Sequence, residues 1–268
     1  MATKTPPALS TEQIQELLAL SADADSIELK LTVPESHQVS TIQGLGLDPL
    51  EAQIRQVFFF DTPDLALDSQ GVVVRARRIQ GKGNDSIVKL RPVVPSELPE
   101  ELRTSGSFRV EVDALPGGFV CSGTMKGTPS DVLGSVRGER PLRKLFSKEQ
   151  RAFYAAHVEG IALDELAILG PIFVLKLRIT PEKLGRRLVA EMWIYPDGSR
   201  LLELSTRCAT NEAFQVAAEA RAFLAGQGVD VSGEQETKTR KALQYFAKSL
   251  KTETESESES ESETESES

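Results

Sequence analysis

Glu28 and Lys30 lie two residues apart in the alternating stretch Ser26-Ile27-Glu28-Leu29-Lys30-Leu31. The same spacing recurs in Arg75 with Arg77, Lys89 with Arg91, Glu111 with Asp113, and Lys176 with Arg178, and charge alternates again around Glu191 and Glu203. Strand side chains point to opposite faces with a period of two, so each stretch has one apolar face and one charged face. A half-exposed sheet simply wets its polar face, and such a face rarely repeats Arg-x-Arg, Lys-x-Arg and Glu-x-Asp in turn. Long cationic side chains beside paired carboxylates suggest a closed sheet whose polar face lines a pocket. That pocket would bind a polyanion and a metal.

Other chemistries find no support. His37 and His157 are the only histidines, and they stand far apart without ligand spacing. Cys121 and Cys208 match no metal or redox spacing and read as free thiols in a reducing compartment. There is no Gly-rich phosphate loop ending in Lys and no Gly-x-Ser-x-Gly, which argues against a P-loop NTPase and a serine hydrolase. Trp193 alternates in a strand pattern and reads as packing.

A chain of 268 residues with 40% hydrophobic and 26% charged content fits a soluble globular protein with a large core, as one domain or two small ones. No apolar run approaches the roughly 18 residues that span a membrane. Residues 1–9 lack the features of a signal peptide. The expected location is cytoplasmic. The net charge of −9 comes mostly from residues 252–268, where eight Glu alternate with Ser and Thr. Without them the balance is near neutral, so overall charge gives no reason to expect nucleic-acid binding. That tail cannot bury enough apolar area to order itself and is expected to be disordered.

The elements that must position the charges follow from the same reading. Strands are expected at about 26–33, 53–60, 72–78, 86–91, 107–114, 172–180, 186–195 and 200–207. Ser10 and Ser147, each with Gln three residues on, open helices through capping boxes. Residues 93–106 read as loop and about 129–160 as a helical insert. Further helices are expected to about Leu224 and over 237–250.

At these residues the chain resembles the CYTH superfamily, the triphosphate tunnel metalloenzymes. Ser26-Ile27-Glu28-Leu29-Lys30 is similar to its Glu-x-Glu-x-Lys signature. Phe59-Phe60-Asp61-Thr62-Pro63 is similar to its Tyr-Phe-Asp-Thr-Pro segment, and Gly71 to Arg77 to its Gly-x-x-Leu-Arg-x-Arg strand. Lys89-Leu90-Arg91, the late Glu203-Leu204-Ser205 and the helix around Lys238 follow in family order, so the match covers roughly residues 24–246. Each motif alone is weak, and it is their order and spacing that make the combination specific.

The resemblance implies an α+β fold: a closed antiparallel eight-stranded β-barrel forming a tunnel, with flanking helices. The organisation expected is an arm and helix over 1–23, a tunnel domain over 24–250 carrying the insert at about 129–160, and the acidic tail over 251–268. The implied activity is divalent-metal-dependent hydrolysis of an inorganic or organic triphosphate or polyphosphate, with Mg²⁺ or Mn²⁺. Lys30, Arg75, Arg77, Lys89, Arg91, Arg178 and Lys238 would bind the substrate. Glu28, Glu191 and Glu203 would hold the metal, and Glu28, Lys30 and Lys89 would be catalytic. Ser26 and Ser205 stand where the family pattern has carboxylates. Their presence keeps open a non-catalytic module that binds triphosphate, polyphosphate or a nucleotide, and an adenylate cyclase is a further alternative.

Overall fold

The computed structural model describes residues 10–230, 235 and 238–250. In chain order the elements are α1 (Thr11–Ser21), β1 (Ser26–Val33), α2 (Gln38–Gly44), β2 (Gln53–Asp61), α3 (Ala66–Ser69), β3 (Val72–Ile79), β4 (Asp85–Leu90), α4 (Glu100–Arg103) and β5 (Phe108–Leu115). They continue with β6 (Gly118–Gly127), α5 (Val132–Val136), α6 (Lys148–Ala155), β7 (Ala167–Ile179), β8 (Leu188–Ile194), β9 (Arg200–Cys208) and α7 (Ala213–Gly226). A last helix covers 238–250. The disorder expected of residues 1–9 and 251–268 concerns positions outside the described residues.

The strands close into a barrel in the order β1-β5-β6-β4-β3-β2-β7-β8-β9, with β9 pairing back to β1. This corrects the expected eight-stranded antiparallel barrel: there are nine strands, and β1 and β5 run parallel, with Ser26 opposite Glu111 and Glu28 opposite Asp113. The two differences have one cause. A closed ring with an odd number of strands cannot alternate direction throughout, so at least one neighbouring pair must be parallel.

The added strand is β6, which pairs with both β5 and β4. Its sequence carries three glycines and none of the charge alternation that marks the others. Two of the glycines are there for packing. A Cβ at Gly123 would meet the Phe108 ring at 2.6 Å, and one at Gly127 would meet Gln150 Oε1 at 2.1 Å.

Outward-facing apolar residues form two clusters under the helices. Ile27, Phe58, Phe60, Val74 and Phe108 pack beneath α1, α5 and α6. Leu31, Leu188, Leu202 and Leu204 pack beneath α7. Both expected capping boxes are present, at Ser10/Gln13 and Ser147/Gln150. Gln150 also fixes α6 to the barrel, because its buried Nε2 donates to the carbonyls of Ser86 (3.1 Å) and Met125 (3.2 Å). Between β2 and β7 the register shifts at Val57/Phe59, so Leu169 and Ile172 both face inward.

A third cluster lies inside one end of the barrel. Val57, Phe59, Val174, Trp193 and Leu201 face inward and pack against Ala242 and Leu243 of the last helix. That end is closed by apolar packing, and the charged residues occupy the rest of the lumen. Among the described residues no helix is long and apolar enough to cross a membrane.

Candidate functional site: a charged barrel lumen

Register and alternation turn the charged face of every strand but β6 inward. Lys30 on β1 stands opposite Ser205 on β9, Arg75 and Arg77 on β3 flank Ile87 and Asp85 on β4, and Lys176 on β7 stands opposite Glu191 on β8. The side chains of Lys30, Lys89, Arg91, Arg77 and Lys238 keep 12–20% of their surface accessible, so the lumen admits solvent.

Three charge groups divide the wall. In the first, Asp113 is the hub. It lies 2.8 Å from Lys30, 3.5 Å from Arg91 and 3.9 Å from Lys89. Burial alone would raise its pKa, but these three cations hold the carboxyl well below the ordinary range. Glu28 joins this group, 3.3 Å from Lys30 and accepting a hydrogen bond from Ser205 Oγ at 3.1 Å. Arg207 bridges Glu28 (3.8 Å) and Glu111 (2.8 Å). Lys89 is the weakly compensated member: burial pushes its ammonium down to about 8, with Asp113 only partly opposing and Lys30 and Arg91 adding repulsion.

In the second group Glu191 stands directly opposite Glu203. Lys238, at the start of the last helix, pairs with both: it is bonded to Glu191 and lies 2.7 Å from Glu203. Lys176 holds the other Glu191 oxygen at 2.6 Å.

The third group is strongly cationic. Arg55, Arg75, Arg77 and Arg178 share the β2, β3 and β7 wall, and the nearby carboxylate, Asp85, is bonded to Arg77. Arg55 accordingly leans on a neutral partner, the Gln53 amide oxygen, at 2.8 Å from Nη2. Arg75 forms no ion pair among the described residues, and its Nε is inaccessible and without a hydrogen-bond partner. Burial, with repulsion from Arg77, disfavours its charged form. A guanidinium keeps its proton in proteins, so the penalty stays in the fold as a charge that Asp85 and Glu191 offset only in part. Thr124 Oγ1, beside Lys89 in the register, also lacks a hydrogen-bond partner. Orphaned polar atoms lining a lumen need a ligand or water to satisfy them.

All the residues expected from the sequence to bind substrate (Lys30, Arg75, Arg77, Lys89, Arg91, Arg178 and Lys238) are thus placed on lumen strands or reach the lumen. Arg55, Lys176 and Asp113 complete the site without having been assigned roles. Lys176 and Asp113 carried the alternation signal. Arg55 did not, because its face continues into the apolar Val57 and Phe59.

The carboxylates tell a different story. Among the described residues no three His, Cys, Asp or Glu are grouped to hold an ion. Glu191 has both oxygens engaged by ammonium groups, Glu203 shares Lys238, and Glu28 is held by Ser205 and Lys30. Glu191 and Glu203 as arranged do not fit the Mg²⁺ or Mn²⁺ that the resemblance implies, since both Glu191 oxygens and Glu203 Oε1 are taken by ammonium groups.

A separate surface cavity of about 670 Å³ lies outside the barrel, between the Lys183–Arg186 segment and α7. Its charged lining is Lys183 with the Arg186–Glu219 ion pair, and it holds no part of the lumen chemistry.

No protein-family model matches this sequence, and no curated protein matches it. Solved structures do share its fold. One is a candidate adenylate cyclase from Bacillus halodurans, 14% identical, with a TM-score of 0.55 over 81% of this chain and 97% of that one. Another is a candidate adenylyl cyclase from Hippeastrum with a dominant triphosphatase activity, 17% identical, with a TM-score of 0.55 over 79% of this chain and 92% of that one. At these identities the likeness is one of fold.

Proposed function

We propose that this chain is a member of the CYTH superfamily and an enzyme acting on triphosphates, most simply a hydrolase of inorganic or organic triphosphate. One observation carries the reading: Arg55, Arg75 and Arg77, with the more exposed Arg178 on the same wall, outnumber the two carboxylates that act on them, Asp85 and Glu191, and Arg75 Nε is left unpaired. A triphosphate supplies concentrated negative charge and many acceptor oxygens, which is what such a wall lacks. The barrel shared with a protein of triphosphatase activity supports the same substrate class.

In this reading Arg75, Arg77, Arg178, Lys89 and Arg91 grip the phosphate chain. Phosphoryl transfer needs mostly positioning and electrostatic stabilisation, which preorganised cations supply. Glu28 orients the attacking water in this reading, a role supported by its 23% accessible side chain against 2% for Asp113. Lys30 and Lys89 neutralise charge at the reacting phosphoryl group. No step of this scheme runs through the metal expected from the resemblance, because Glu191 and Glu203 are already paired with Lys176 and Lys238. Phosphate release from tripolyphosphate, ATP and thiamine triphosphate tests the proposal, and no release above blank between about pH 6 and 10 rejects hydrolysis.

A second reading, a triphosphate-binding module without turnover, draws on Ser205, whose hydroxyl satisfies Glu28 where the family pattern has a carboxylate. Tight binding without phosphate release would select it. No residue of the lumen is tied to adenine, so cyclase activity, assayed as cyclic AMP formed from ATP, is not the proposal.

Binding should report Lys89 directly. Its ammonium is charged below about 8 and loses charge as pH rises through that value. Tripolyphosphate affinity is therefore expected to fall between about pH 7 and 9, and Lys89→Arg, which stays charged, should flatten the component due to this residue. Identical pH profiles for the two proteins would remove Lys89 from the anion site.

A further inference from the structure

We infer that the Lys238 ammonium is the resident counter-ion of the Glu191–Glu203 pair, and that these carboxylates hold no divalent cation when the barrel takes up its anion. The inference rests on the polyanion-binding reading for the second half of that statement only.

Glu191 and Glu203 face each other directly across β8 and β9. Like charges so placed repel, and a cation must lie between them. That position is filled from within the chain. Lys238 Nζ bonds to Glu191 Oε2 and lies 2.7 Å from Glu203 Oε1, while Lys176 Nζ takes Glu191 Oε1 at 2.6 Å and Trp193 Nε1 lies 3.4 Å from Glu191 Oε2. Two carboxylates and two ammonium groups cancel. A divalent ion added to this set would leave an excess of two positive charges beside an already cationic wall.

Lys238 is also held in place by its helix rather than by its side chain alone. Its Nζ lies 5.3 Å from the centre of the Trp193 ring, and Tyr195 Oη donates to its backbone carbonyl at 3.4 Å. One turn on, Ala242 and Leu243 are fully buried against the inward apolar cluster. Admitting an ion would mean breaking both ion pairs of Lys238 and leaving its ammonium uncompensated in the lumen, a larger penalty than losing a surface pair.

Mn²⁺ binding to the substrate-free full chain, followed by the loss of the free-ion electron paramagnetic resonance signal, tests this without reference to activity. Wild-type protein at equimolar Mn²⁺ should leave the signal intact. Lys238→Met should bind Mn²⁺ at least about tenfold more tightly than wild type, and Lys238→Arg, which restores a cation, should not. Calorimetry with tripolyphosphate should give affinities in EDTA and in Mg²⁺ that agree within about threefold.

Uptake of Mn²⁺ by wild-type protein overturns the inference, and so does tripolyphosphate binding that disappears in EDTA. Lys238→Met and Lys238→Gln that fold yet gain no Mn²⁺ overturn the counter-ion role. Absence of tripolyphosphate binding in both buffers defeats the polyanion reading and with it the claim about anion uptake, while the Mn²⁺ arm still decides the role of Lys238.

Discussion

Replacing Arg75 by methionine is expected to weaken tripolyphosphate binding by roughly 30-fold or more, while the melting temperature stays level or rises. The two halves of this result come from one fact. Arg75 has no carboxylate partner among the described residues, and its Nε makes no hydrogen bond. In the empty barrel it is an enclosed charge repelled by Arg77, so removing it relieves the native state. In the loaded barrel it gains charge-assisted hydrogen bonds, which are the stronger kind. Methionine fills a similar volume and keeps the packing against Phe59, its neighbour in the register. Calorimetry and a thermal melt on the same sample check both halves. A lower melting temperature with unchanged affinity would make Arg75 a structural residue and remove the central member of the proposed cradle.

Asp113→Asn should do the opposite. The carboxylate is 2% exposed and is the shared counter-ion of Lys30, Arg91 and Lys89. Neutralising it removes the ion pairs of Lys89 and Arg91 and leaves Lys30 with Glu28 alone. Breaking a buried ionic group by removing one partner costs about 3–5 kcal/mol, which for a protein of this size lowers the melting temperature by roughly 10 °C.

The loss should depend on pH in a defined direction. The folded-state pKa of Asp113 is depressed, so its stabilising contribution is fully present above the unfolded carboxyl value near 4 and is lost as pH falls toward the folded value. The stability gap between wild type and Asp113→Asn should therefore be widest at neutral pH and should close below about pH 4. Urea unfolding across that range measures it. A gap that is small at pH 7 would mean that the three cations find other partners.

Sequence periodicity was enough to find eight of the nine strands, because each couples an apolar face to a charged one. β6 escaped since its lumen side carries Val120, Ser122 and Thr124, and its glycines answer to Phe108 and Gln150, neighbours that only the fold supplies. Missing that strand also hid the parallel β1–β5 pair, which is a matter of parity and not of local preference. Spacing showed that the basic residues share one face of their strands, but not that this face is the inner one. What spacing could not show was how charges would pair across the lumen. Lys238 is 47 residues from Glu191 and 35 from Glu203, and it meets both only because the last helix docks on the Trp193 end of the barrel. The three carboxylates therefore looked like free ion ligands in the sequence, whereas the fold gives each of them a partner.

The lumen as an anion cradle is tested most directly by a crystal structure of the full chain with a non-hydrolysable triphosphate analogue. The phosphate oxygens should lie within hydrogen-bonding distance of the Arg75 guanidinium, with Arg77 and Lys89 on the same anion and Lys238 still between Glu191 and Glu203. An analogue found on the outer surface of the barrel, or a lumen left empty of it at saturating concentration, would contradict the account.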